Sequence, residues 1–320
     1  MLKKLNFFAK KYSFVVIGPG KMSERHAKLF LSLGYKLKAV YSPKKIKNNF
    51  FSDFNYLNNL DLLKNINFDF AIIASPNKYH SEQINFILEQ NKIIFIEKPL
   101  VTNLIDLDLN NQRLLKNTFV SFNLRYQKNS EYFKNLIDKK KICKIEISWC
   151  RDQNLDLNSW YLNKTISGGG VFLDWGVHCL DLILFLLNFK NISFHNIKVL
   201  NYINNLECAI KAYLKIDNIS LFLNLSWVEK KKQCPLIVNI YLDDGTKYIW
   251  HKSGEIFFYD GKNKKKIYMN NNNKMYEYFI KEYLFKKNIY KISQEKLKNF
   301  KIYFNVQKII AEAYNQLNLK

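Results

Sequence analysis

Arginine is scarce in this chain. Four arginines, Arg25, Arg113, Arg125 and Arg151, stand among 50 basic side chains in 320 residues, so the formal net charge of +23 is almost all lysine. The lysines are spread along the chain among many Asn, Ile, Phe and Tyr residues, the pattern of a solvated surface. Arginine is the better planar fork for phosphate. With no recognition module or basic amphipathic arm in sight, no nucleic-acid partner is expected. Cysteine is also sparse: Cys143, Cys150, Cys179, Cys208 and Cys234 are odd in number and form no CxxC pair. That excludes a disulfide framework and a zinc cluster, and suits reduced thiols in a cytosol. No metal is expected. Long apolar runs are missing as well. Even LDLILFLLNF falls short of the roughly 20 residues that span a bilayer, and it begins at an acid. The start, MLKKLNFFAKKYSFVVIG, places lysines before apolar residues as a signal peptide does. It lacks a small-residue cleavage site and runs straight into IGPG, so it reads as a first strand. A soluble, cytoplasmic protein without a membrane partner is expected.

The length suffices for two domains with a core each. Up to about residue 140, short apolar runs (YSFVVIG, KLKAVY, FDFAIIAS, KIIFIE, TFVSFN) alternate with amphipathic segments such as ERHAKLFLSL and HSEQINFILEQ. That is the pattern of βαβ units around a parallel sheet covered on both faces. From Lys144 a strand (KIEISW) is followed by a loop, a glycine triplet and an apolar helix. Then come SFHNIKVL, ECAIKAYLKI, ISLFLNLSW, PLIVNIYL, KYIWH and EIFFY with no helix between them. Such runs imply a mostly antiparallel sheet. The fold class expected is α/β: a doubly wound Rossmann sheet over 1–125, a closing helix at 126–140 as linker, and an α+β domain over 141–320. The C-terminal helix is expected to pack back on the Rossmann domain.

Four motifs carry chemistry. In VVIGPGKMSERHAKLF, Gly18 and Gly20 lie between a strand and a helix, where glycines allow a tight turn and let pyrophosphate approach backbone amides, including those of Lys21 and Met22. Ser23 stands where a third glycine or alanine is usual. The second strand ends KAVYSPKK, and no Asp or Glu occurs between Glu24 and Asp53. The carboxylate that normally bonds an NAD ribose is thus missing. Ser42 with Lys44 or Lys45 can hold a 2'-phosphate instead, which favours NADP over NAD, although the same lysines also fit general surface charge. The third motif is AIIASPNKYHSEQ followed by IIFIEKPL. Ser75, Pro76 and Asn77 close the carboxyl end of a central strand, His80 opens the next helix, and Lys98 caps the following strand, where an ammonium can stabilise a substrate oxyanion. The fourth is SGGGVFLDWGVHCLDLILFLL. Gly168, Gly169 and Gly170 allow close backbone approach to a ligand or to the other domain. Asp174, His178 and Asp181 follow at i, i+4 and i+7, on one face of an otherwise apolar helix.

The third and fourth motifs together resemble the Gfo/Idh/MocA family of sugar and polyol dehydrogenases. The likeness extends to SFNLRYQKNSEYFKNLI and to the closing helix NFKIYFNVQKIIAEAYNQ. It implies catalytic roles for Lys98, Asp174 and His178, and a nicotinamide pocket shaped by Glu97 and by Pro99 in a cis bond. It also implies that Arg125 lies at cofactor and substrate, with Arg151, Trp160 and Lys164 on the substrate side. The implied activity is hydride transfer between nicotinamide and a secondary alcohol or ketone of a sugar, nucleotide-sugar or cyclitol. An exposed face of the second-domain sheet would suit pairing into a homodimer or homotetramer. NAD-dependent glycoside cleavage and a non-catalytic Rossmann-fold sensor are the alternatives.

Overall fold

A computed structural model describes residues 12–44, 48–102, 111–188, 191–270 and 294–317. The chain divides into two compact units, Met1–Ser121 with Tyr290–Lys296, and Phe122–Ile289 with Leu297–Lys320.

In the first unit strands and helices alternate: β1 (Ser13–Ile17), α1 (Lys21–Ser32), β2 (Lys36–Tyr41), β3 (Tyr56–Leu57), β4 (Phe70–Ile73), α2 (His80–Glu89), β5 (Ile93–Ile96), α3 (Gln112–Asn117) and β6 (Thr118–Val120). The six strands are parallel in the order β3-β2-β1-β4-β5-β6. FAII in β4 and IIFI in β5 are buried throughout because helices cover both faces, which is why they read as continuous apolar runs. The core beneath α1 is aromatic: Phe30 packs against Phe14, Phe70 and Phe95 with centroids 4.9–5.6 Å apart. The strand order reverses between β1 and β4. In open sheets of this kind ligands bind outside the carboxyl ends of the strands at such a reversal.

The second unit contains α4 (Lys128–Ile137), β7 (Ile142–Cys150), α5 (Lys164–Ser167), a π-helical turn (Phe172–Gly176), α6 (Val177–Leu186), β8 (Ile192–Ile203), β9 (Leu206–Ile216), β10 (Ile219–Ser226), β11 (Cys234–Leu242), β12 (Lys247–His251), β13 (Glu255–Tyr259) and β14 (Lys264–Met269), with α7 (Gln294–Gln316) joining it from Leu297. Its eight strands run β14-β13-β12-β11-β7-β10-β9-β8. Every neighbouring pair is antiparallel except β7 and β10. Helix α4 packs on α6, β12 and β13 within this unit, and Asn129 donates to the His251 carbonyl at 2.8 Å. The segment Lys164–Leu186 is apolar and long enough to cross a bilayer by length and composition, more than the short run LDLILFLLNF suggests. Of its most apolar 18-residue stretch, 89% is buried inside the protein.

Candidate active site

The turn after β1 is built around close backbone packing. Gly18 has φ +85°, and a Cβ there would stand 2.6 Å from the Ser75 backbone at the end of β4. A side chain would therefore part the two strands at the switch point. Ser23 is buried, and its hydroxyl lies 2.6 Å from the Gly18 carbonyl and 2.9 Å from that of Gly20. Serine in place of the usual third glycine thus ties the turn to the helix. Gly20 is different: a Cβ added there meets nothing within 4 Å. It begins α1 without a side-chain cap, and Lys21 and Met22 follow in the first turn. The helix N-terminus carries partial positive charge. These residues fit the pyrophosphate of a dinucleotide.

At the end of β2 the Ser42 amide donates to Leu57 and its carbonyl accepts from the Tyr56 hydroxyl at 2.8 Å. The Ser42 hydroxyl accepts weakly from the Lys44 amide at 3.4 Å, and the Lys44 side chain is exposed. Lys45 lies outside the described residues.

After β4, Pro76 and Asn77 open a short 3-10 turn that leads into α2, while Ser75 donates its hydroxyl to Gln83 at 2.6 Å. His80 is fully buried, with Nδ1 2.8 Å from the Pro99 carbonyl and Nε2 2.9 Å from the Ser75 carbonyl. Burial lowers its pKa against the pull of both carbonyls. The neutral ring has one N–H, so the tautomer decides which carbonyl receives it. The Lys98–Pro99 peptide is cis, as the family resemblance implies. Glu97 meets His26 of α1 at 2.6 Å. Burial alone would raise the Glu97 carboxyl, but the hydrogen bond and charge of His26, with Lys98 nearby, bring it below the usual carboxylate range.

In the second unit the glycine triplet approaches the protein itself. A Cβ on Gly169 would fall 2.1 Å from the Tyr314 hydroxyl, and one on Gly170 2.0 Å from the Glu207 carbonyl. The buried Glu207 carboxylate accepts from the amides of Gly170 and Phe172 at 3.0–3.2 Å and from the Tyr314 hydroxyl at 2.7 Å. Burial raises its pKa and these donors lower it, with burial prevailing. Asp174 sits in the π turn and His178 in the first turn of α6. The wider π turn shifts the angular phase between them from that of a regular helix. The His178 ring lies against Phe122 and Trp149, with centroids at 6.2 and 6.3 Å. Trp149 in turn stacks on Trp175 at 4.3 Å.

Two stretches of the chain match family descriptions. Residues 12–118 match "Oxidoreductase family, NAD-binding Rossmann fold", and residues 132–246 match "GFO/IDH/MocA C-terminal domain". The chain belongs to the Gfo/Idh/MocA oxidoreductase family. It is 28% identical over 134 residues to the myo-inositol 2-dehydrogenase of Thermotoga maritima, a stretch covering 40% of this chain and 38% of that enzyme, so the match spans well under half of the relative. Among solved structures, a dehydrogenase (MviM) from Clostridium difficile superposes with a TM-score of 0.72 at 18% identity, covering 95% of this chain and 100% of the other. An inositol dehydrogenase homolog complexed with NAD+, from Azotobacter vinelandii, does so with 0.70 at 13% identity over 94% and 86%. At such identities the structures share the fold.

Within this Gfo/Idh/MocA fold the expected residues separate into groups. Gly18, Gly20, Lys21, Met22, Ser75, Pro76, Asn77, His80, Glu97 and Lys98 all stand at the carboxyl ends of β1, β4 and β5. Asp174 lies in the π turn and His178 in the first turn of α6, whereas Asp181 lies further along that helix. It is engaged by Arg125, which donates from Nε at 2.7 Å and from a terminal nitrogen at contact distance, with both side chains at most 4% exposed. Arg125, expected at cofactor and substrate, thus gives two of its donors to a buried carboxylate that anchors α6. Burial pushes the Asp181 carboxyl up and the guanidinium pulls it back. Arg151 is exposed, its guanidinium 5.4 Å from the Trp175 centroid. Trp160 is exposed at 38% beside Tyr161, and Lys164 begins α5. His26, Glu207 and Tyr314 are organising residues that the motifs did not reveal. A lone acid in the apolar run ECAIKAYL was the one available hint for Glu207.

Proposed function

We propose that this chain is an NAD(P)-dependent dehydrogenase or reductase acting on a secondary alcohol or ketone carbon of a sugar, nucleotide-sugar or cyclitol. The observation that carries the reading is the placement of Lys98. It follows β5, next to β4 and one strand from the switch point where Gly20 leaves open space at an uncapped helix. A bound nicotinamide supplies the hydride acceptor or donor. The chain's own groups handle charge and protons. In the direction of oxidation the His178 imidazole removes the hydroxyl proton, Asp174 favours its charged form, and the Lys98 ammonium stabilises the oxygen as charge develops. Arg151 and Trp160 contact the sugar, and Arg125 serves as the anchor of α6.

Ser42 and Lys44 at the end of β2, with no acid from Arg25 to Ser52, support NADP over NAD. The relatives named above include one solved with NAD+, which makes cofactor choice the sharper test. The experiment is fluorescence titration with NADPH and NADH, followed by turnover on a panel of sugars, nucleotide-sugars and inositols. NADPH is expected to bind several-fold more tightly, and tighter NADH binding would mean that Ser42 and Lys44 do not hold a 2'-phosphate. His178→Ala should lower kcat by roughly 10²- to 10⁴-fold with cofactor affinity little changed. Full turnover in that variant would remove His178 from the chemistry.

A further inference from the structure

Lys98 is preceded and followed by residues that each lie within hydrogen-bond distance of a buried histidine from a different helix. On one side His26 of α1 meets the Glu97 carboxylate at 2.6 Å, with side chains 7% and 13% exposed. On the other, His80 at the start of α2 lies 2.8 Å from the Pro99 carbonyl and 2.9 Å from that of Ser75. Both helices open at the turns that receive the dinucleotide under the reading above: α1 at Gly20 and α2 after Ser75–Asn77. A buried hydrogen bond to a charged group fixes its partner more firmly than a neutral surface one does.

We propose that His26 and His80 are positioning residues for Lys98, His26 by holding the Glu97 carboxylate and His80 by holding the Pro99 carbonyl. The lysine is then placed from both chain neighbours by the two helices that begin at the cofactor turns. This rests on the dehydrogenase reading only for what Lys98 does, not for how it is held. Neither histidine touches substrate or cofactor in this role. His26 acts through Glu97, so an uncharged donor of similar reach should replace it, whereas a side chain without a donor should not.

The test is made on the ligand-free full chain. Trace labelling with an amine-directed acylating reagent, read by mass spectrometry, gives the rate at Lys98 relative to the exposed Lys64 and the half-buried Lys144. His26→Ala should speed Lys98 labelling by roughly fivefold, the scale of losing one buried hydrogen bond. His26→Gln, whose amide can donate to Glu97, should return the rate towards that of the wild type. His80→Gln should also raise it. Should His80→Gln not fold, the His26 pair decides alone. Equal rates in all variants, or a rise in His26→Ala that His26→Gln does not reverse, would overturn the proposal. So would a parallel change at Lys64 and Lys144, which would signal general loosening. Failure to bind any dinucleotide would sink the dehydrogenase reading, and it is read in a separate titration.

Discussion

The chain uses the same device twice and finishes it in opposite ways. In each unit glycines precede a helix and bring its N-terminal amides to the surface of a turn. At Gly20 the turn is left open: no side chain caps α1, and a Cβ would meet nothing within 4 Å. At Gly170 it is closed, because the Glu207 carboxylate takes the amides of Gly170 and Phe172. An anion at a helix N-terminus is worth about 0.3–2 kcal/mol. One unit supplies an acceptor from its own β9, and the other leaves the corresponding place open. The difference teaches that a glycine cluster before a helix marks close approach without saying to what. The spacing of Gly168–Gly170 admitted a ligand or the other domain, and the structure answers with Glu207 and Tyr314.

The largest expected effect breaks the closed turn. Gly170→Ala would place a methyl group 2.0 Å from the Glu207 backbone carbonyl. Neither β9 nor the helix can shift cheaply in a packed core, so the loss should be about 3 kcal/mol, read as a lower urea midpoint. A change below about 0.5 kcal/mol, the range of neutral surface substitutions, would show that the turn is not closed as described. Gly20→Ala should do the reverse. Its φ of −92° is open to any residue, so the urea midpoint should hold. NADPH affinity should fall by roughly tenfold or more, as the methyl group denies one or two amide–phosphate hydrogen bonds. Unchanged affinity would mean that the open turn does not receive the pyrophosphate, and the comparison between the units would lose its functional half.

Much of the fold was legible because burial on both faces writes itself as unbroken apolar runs, and β1, β4 and β5 stand where YSFVVIG, FDFAIIAS and KIIFIE suggested. Strand β14 was not legible. KKKIYM is an edge strand whose lysines face water, which protects the edge but erases the apolar signal. The π turn Phe172–Gly176 left no trace in the periodicity either. At the site, the glycine turns and the Glu-Lys-Pro strand end could be read from local motifs. What joins them could not. His26 and Glu97 are 71 residues apart, and Arg125 and Asp181 are 56 apart. Asp181 shows the limit most clearly: its spacing from His178 suits a shared face, but its partner is set by tertiary packing, which periodicity does not encode.

The smallest effect sharpens the contrast between the two buried glutamates. Glu97 and Glu207 both carry hydrogen-bonded carboxyls in largely dry surroundings, yet their pKa values move oppositely from the ordinary 4.5. Burial raises both. At Glu97 the hydrogen bond from His26, its charge when the ring is protonated, and the Lys98 ammonium outweigh it, whereas at Glu207 the donors are neutral amides and a phenol, which do not. Linkage turns this into opposite slopes of stability with pH. Glu97, lowered in the folded chain, contributes stability that is present above 4.5 and lost as pH falls through its folded value. Glu207, raised, binds its proton more tightly when folded, so its contribution diminishes as pH rises from 4.5 through its folded value. Urea midpoints of the wild type, Glu97→Gln and Glu207→Gln at a series of pH values read the difference. The advantage of the wild type over Glu97→Gln should shrink as the solution is acidified below 4.5, and its advantage over Glu207→Gln should grow as pH is lowered towards 4.5. Slopes of the same sign would mean that the charges around Glu97 do not distinguish it from Glu207. The two glutamates would then share one electrostatic character.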